Sequence, residues 1–119
     1  MADVERRINA QRAAAGRSTL GSRGDMRASA AAHARAMAAR GRIYHQTMTP
    51  FLAAWRARWV SENVANGVEG DGAAGLEKLW MESAGHKANL LDARATDSGC
   101  GVFADGGWLW GVCLYAQSS

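Results

Sequence analysis

The tightest constraint on this chain lies near its C-terminus, in Asp105-Gly106-Gly107-Trp108. Two consecutive glycines between β-prone runs predict a two-residue hairpin loop, whose favoured turn needs positive φ at its central residues. Asp105 then faces Trp108, and each further cross-strand pair follows in step along strands over about 97–104 and 108–116. On that register Cys100 lies opposite Cys113, and these are the only two cysteines. Directly opposed Cβ atoms sit about 4.5–5.5 Å apart, so a Cys100–Cys113 disulfide is feasible with slight adjustment. A bridge there implies an oxidising compartment. Two buried free thiols are the alternative.

Upstream the pattern is helical. Asp3 to about residue 15 carries Val4, Ile8 and Gln11-Arg12 at helical spacing and stops at Gly16, with Leu20 anchoring the loop that follows. A longer helix spans about 25–40, capped by Gly24-Asp25 and ended by Gly41. Its inward stripe, Met26, Ala30, His33-Ala34 and Met37, is built largely from small residues, so a neighbour must pack close against it. His33 on that stripe reads as a satisfied structural histidine. Thr49-Pro50 opens a third helix, proline suiting the first helical position, with Trp55 and Trp59 as an i,i+4 pair. Residues 60–65 form the first strand, and 66–72 a glycine-rich loop. A fourth helix covers about 73–83, with Leu76, Leu79 and Trp80 inward. A break at Ala84-Gly85 then leaves a short turn presenting His86. Four helices and three short strands predict one α+β domain over residues 3–117, with layers on both sides of a small antiparallel sheet.

Composition excludes several classes. At 119 residues with 48% hydrophobic content and five tryptophans, the chain can bury a real core. No apolar run reaches the roughly 18–20 residues of a transmembrane helix. Met1 to Arg6 has no apolar stretch of the kind a secretory leader carries. The net charge of +3 is uneven: residues 1–58 hold 11 arginines against Asp3, Glu5 and Asp25, and the rest holds three cations against eight acids. No aromatic residues interleave with the early arginines, so nucleic acid is not an expected partner. The asymmetry reads either as a basic face for an acidic polymer or membrane surface, or as two oppositely charged halves that pack together and partly neutralise each other.

Two polar islands stand out in apolar surroundings. One is Ser61-Glu62-Asn63-Val64-Ala65, and the other is Ser83-Ala84-Gly85-His86. With His45, which follows the long helix, they supply two imidazoles and a carboxylate on three separate elements. His45, Glu62 and His86 are residue types that bind zinc, and three protein ligands leave a position open for water. Equally, the carboxylate can fix the tautomer of one imidazole. Their spacing matches no local metal motif.

Taken together, these blocks resemble the CAP superfamily (cysteine-rich secretory, antigen 5 and pathogenesis-related-1 proteins) in its compact bacterial form. Asn9-Ala10-Gln11-Arg12 is like the opening Asn-x-x-Arg. Ala32 to Gly41 with His45 four residues later, Ser61 to Ala65 in place of Gly-Glu-Asn-Ile/Val-Ala, and Trp80 to Leu91 follow in the same order and spacing. The resemblance implies a three-layer α-β-α sandwich and a secreted protein, extracellular or periplasmic, whose leader lies outside this chain. It also implies a central cleft lined by two histidines and one or two glutamates. Carried over, these are His45, His86 and Glu62; a second glutamate would fall at Ser83, and Glu82, one residue earlier, is the nearest carboxylate. Asn63 and Ser83 are further candidates for the cleft. A divalent cation such as zinc is implied, with no organic cofactor.

Three functions follow as expectations for a monomeric domain. The first is a binding module that takes a divalent cation and a small ligand or peptide. The second is a lipid or sterol carrier, with Trp108 and Trp110 on one strand face as a groove or, equally, as core. The third is a hydrolase with His45, Glu62 and His86 as its catalytic candidates. Neither Ser61 nor Ser83 sits in a sequence pattern that pairs it with a base and an orienting acid.

Overall fold

The computed structural model describes residues 2–118. In chain order the elements are α1 (Asp3–Ala14), β1 (Gly21–Ser22), α2 (Gly24–Arg40), α3 (Thr49–Ala54), β2 (Ala57–Val68), a 3-10 turn (Glu69–Asp71), α4 (Gly72–Met81), α5 (Ala84–Leu90), β3 (Asp97–Asp105) and β4 (Trp108–Ser118). The sheet order is β1-β3-β4-β2, so β4 is central and β2 forms one edge.

The period of two along β4 builds two cores, one on each face. Leu109, Cys113 and Tyr115 pack with Val4 and Ile8 of α1, Leu76 and Trp80 of α4, and Leu90 of α5. Trp110, Val112, Leu114 and Ala116 pack on the other face against Met26, Ala30, Ala34 and Met37 of α2, and Trp55. Helices thus cover both sides of the sheet, and the architecture is the expected three-layer α-β-α sandwich. Closeness of α2 rests on two glycines in β3. A Cβ on Gly99 would lie 2.3 Å from the Arg27 nitrogen, and one on Gly101 the same distance from that of Ala31. The small residues of α2 and these glycines are the two halves of one close contact.

The hairpin keeps the expected register. Gly106 and Gly107 have φ of 59° and 86°, and Cys100 pairs with Cys113 in a buried disulfide whose Cα atoms are 4.2 Å apart. Gly41 ends α2 at φ 67°, with Arg42 N–H donating to the Met37 carbonyl.

Several local expectations are corrected. The sheet has a fourth strand, β1, whose two residues pair in parallel with Asp97 and Ser98 of β3. α3 stops at Ala54, and Arg56 turns the chain at φ 51°, so Trp59 lies on β2; the stacked partner of Trp55 is Phe51, with ring centroids 4.1 Å apart. β2 runs on to Val68, because pairing with β4 continues to Trp108 through most of the anticipated glycine-rich loop. Asp25 is the second residue of α2 rather than its cap; its carboxylate accepts from the Met26 N–H and pairs with Arg23. Leu79 is 44% exposed while Leu76 and Trp80 are fully buried. His86 sits on a helix of its own, α5, rather than on a turn, since Ser83 is extended and restarts the chain there.

Candidate functional site

The site begins with how the loop after α2 is held. His33 points from α2 to this loop; its Nε2–H donates to the Tyr44 carbonyl at 2.6 Å, and its ring meets the Tyr44 ring edge-on. Arg40 and Arg42 lie over the Tyr44 ring at 4.9 and 5.2 Å. This is the structural role expected of His33, and its effect is to place His45 over β2.

Glu62 comes up from β2 to meet it. Its side chain is 1% exposed, which an ionised carboxylate tolerates only with its lone pairs satisfied. Three donors do this: His45 Nδ1–H at 3.0 Å, the Gln46 backbone N–H at 3.0 Å and the Gln46 side-chain amide at 2.7 Å. Gln46 was not legible as a site residue; its position directly after His45 is the only hint the sequence carries.

Asn63, the next residue, points to the opposite face and is fully buried. Its amide donates to the His86 carbonyl at 3.0 Å and to the Tyr115 hydroxyl at 3.3 Å, and its carbonyl accepts from Asn89 at 3.1 Å. Asn63 therefore positions α5 rather than lining the cleft. Trp80 Nε1–H adds a bond to the Val64 carbonyl at 3.1 Å. The Asn9-Ala10-Gln11-Arg12 block near the start of the chain is likewise scaffold. Arg12 is buried and donates to the carbonyls of Ser18, Leu90 and Asp92, and Asn9 bonds Leu20 in both directions.

His86 lines a hollow of about 220 Å³ with Ile43, Val64, Asn66, Leu79 and Ser83. Burial, and then the charge of His45, hold its pKa below the usual 6.5, so it is neutral at pH 7. His45 is bonded to Glu62 and its charge is felt at His86, but the hollow around His86 is lined by neither of them. Ser83 shares this hollow. Glu82 instead lines the adjoining one and pairs with Lys78 at 3.9 Å.

The two rings differ in their protons. His45 Nδ1 faces the Glu62 carboxylate and carries a hydrogen. The Nδ1 of His86 is buried with no partner among the described residues. A buried N–H without an acceptor costs about 1–3 kcal/mol, which favours the proton on Nε2.

That pattern bears on zinc. A metal-bound imidazole normally hands its second N–H to an acceptor. Glu62 serves His45 in this way; nothing does so for His86, and the oxygens of Glu62 are already engaged. Among the described residues no group of three or more His, Cys, Asp or Glu is placed to hold a metal ion. The donor set falls short of a closed zinc site.

A single α-β-α domain with an imidazole–glutamate pair beside an edge strand is the class of protein this fold and site define. The chain belongs to the CAP, cysteine-rich secretory protein, family, whose model matches residues 5–115. Among solved structures it is similar to an outer surface protein of Borrelia burgdorferi (15% identity, TM-score 0.85, covering 98% of this chain and 90% of that one). It also resembles an extracellular protein of Bacillus anthracis containing an SCP domain (19% identity, TM-score 0.79, 93% of this chain). The chain spans only 38% of that protein's length. A third, NaASP2 with Zn2+, shares 12% identity at a TM-score of 0.66, covering 98% of this chain and 77% of that one. At these identities the likeness shows the fold. No curated protein sequence matches the chain. No helix among the described residues is long and apolar enough to cross a membrane.

Proposed function

We propose that this domain is a secreted recognition module whose cleft holds an amide-bearing small ligand or peptide between His45 and His86. With both rings neutral, His45 would present an acceptor at Nε2 and His86 a donor, which a secondary amide, with an N–H and a carbonyl on opposite edges, complements. The single observation that carries this reading is the contrast between the two Nδ1 atoms, one bonded to Glu62 and the other buried without a partner. Titrating the protein with N-acetylglycine methylamide, and following both imidazoles by NMR, tests it. Both rings should shift together, and His45→Ala should abolish the response at His86. Rings that stay unmoved at high millimolar ligand would refute the reading.

A second reading is a divalent cation held by the two Nε2 atoms, with Glu62 behind His45. It is favoured by the His45–Glu62 pair and by the zinc-containing structure of NaASP2. Zinc at a hundred times its dissociation constant would stabilise the fold by about 2.7 kcal/mol. A rise in melting temperature of about 11 °C, lost in His45→Ala/His86→Ala, would establish this reading over the first. A hydrolase finds less support, because no hydrogen bond joins Ser61 or Ser83 to an imidazole among the described residues; Ser61 Oγ is buried without a partner. The lipid-groove reading of the strand tryptophans also weakens, since Trp110 is buried in the α2-facing core.

A further inference from the structure

Beyond the cleft, the C-terminal half of β2 is an unfinished sheet edge. Along this edge the carbonyls of Glu62 and Val64 point away from β4, since they accept from Asn89 and Trp80 on the outer side. Strand alternation turns the backbone groups of Asn66 and Val68 the same way. Helices α4 and α5 therefore close the first part of the edge with side-chain donors and leave the second part open.

The open part lies in a continuous groove. Two hollows, of about 330 and 470 Å³, share Asn66 and Trp108, and the smaller adjoins the His86 hollow at Leu79. Five large hydrophobic side chains of the described residues are notably exposed, and three of them border this groove: Val68, Leu79 and Trp108. Trp108, at 51% exposure, is the largest. Singly such residues need no explanation, but three along one channel beside unpaired backbone do. The rim is acidic. Asp71, Glu82 and Asp105 line it against Lys78, which pairs with Glu82, and neither Asp71 nor Asp105 has an ion-pair partner among the described residues.

We infer that this groove takes an extended peptide of alternating apolar and basic residues, added as a strand to β2 at Asn66 and Val68. Exposed strand edges are templates for such pairing, with main-chain bonds giving affinity and alternate side chains giving specificity. Strand alternation sends the apolar side chains to the face of Leu79 and Trp108 and the cations to the opposite face, where Asp105 stands. This goes beyond the cleft reading and does not depend on it, since neither imidazole is needed for strand addition.

The test uses fluorescence anisotropy with a labelled hexapeptide alternating valine and lysine. Controls are its valine–glutamate counterpart and a version N-methylated at alternate amides. The valine–lysine peptide should bind, and each control should bind about ten-fold or more weakly, a difference of about 1.4 kcal/mol. Trp108→Ala should cost a similar factor. Asn66→Pro should as well, because it removes an outward N–H while sparing the bonds to β4, the placement proline tolerates at an edge. N-acetylglycine methylamide at high millimolar concentration should not displace the peptide, which separates this groove from the cleft. If Asn66→Pro fails to fold, the N-methylated peptide on the unmodified protein still decides. Equal binding of the N-methylated or glutamate peptide, or no binding of any, overturns the proposal. So does a concentration-dependent dimer dissolved by Trp108→Ala in sedimentation, which would assign the edge to a second copy.

Discussion

Replacing Glu62 by glutamine changes one atom of the buried network and nothing of its size. The carboxylate accepts from three donors, two on one oxygen and one on the other. A glutamine fits best with its carbonyl towards His45 Nδ1 and the Gln46 backbone, which leaves two amide groups face to face until Gln46 turns over. Bonds to charged groups contribute about 1.5–3 kcal/mol and neutral ones about 0.5–1.5. Weakening three of them by about 1 kcal/mol each, offset in part by the easier burial of a neutral amide, gives a net loss of about 2 kcal/mol. For a domain of this length that lowers the melting temperature by about 8 °C. Thermal unfolding of Glu62→Gln, His45→Ala and the double variant isolates the His45 bond. Nitrogen chemical shifts of His45 report its tautomer directly. A coupling energy of zero, together with an unchanged tautomer in Glu62→Gln, would refute the idea that Glu62 orients this imidazole.

Other predictions follow from the same geometry. Because the folded pKa of His86 lies below its unfolded value, the unfolded chain binds more protons; stability should fall as pH drops from 6.5 through the lower folded pKa, and His86→Gln should flatten that stretch. Burial raises the pKa of Glu5, but its bonds from Ser22, Cys100 and Arg27 outweigh this and leave it below 4.5, so Glu5→Gln should remove acid sensitivity only at and below that pH. Gly101→Ala would drive a methyl against the backbone of α2, and overpacking of this kind costs about 1–3 kcal/mol. Urea titration checks this, and an unchanged midpoint would show that α2 can ride outward freely. Reducing the Cys100–Cys113 bridge opens a 13-residue separation, for which chain entropy gives about 3 kcal/mol, and melting with and without reductant measures it.

What the sequence determined by itself was whatever depends on neighbours in the chain. The Gly106-Gly107 turn sets its own strand register, so the Cys100–Cys113 pairing needed no knowledge of the rest. Gly41 stops α2 because the left-handed conformation is cheap for glycine wherever the helix lies. The blocks carrying His45, Glu62 and His86 were legible as types in order, and the structure pairs His45 with Glu62. Tertiary structure alone decided how long β2 is, since its pairing to Trp108 joins residues far apart and overrides the loop propensity of Asn66-Gly67. It decided that Trp59 leaves its helix for the sheet, because β4 offers partners the isolated segment cannot foresee. It also decided the chemistry of the cleft. Protonation of an imidazole depends on which groups stand behind it, and those groups, a carboxylate from β2 for His45 and none for His86, arrive only when the distant elements pack.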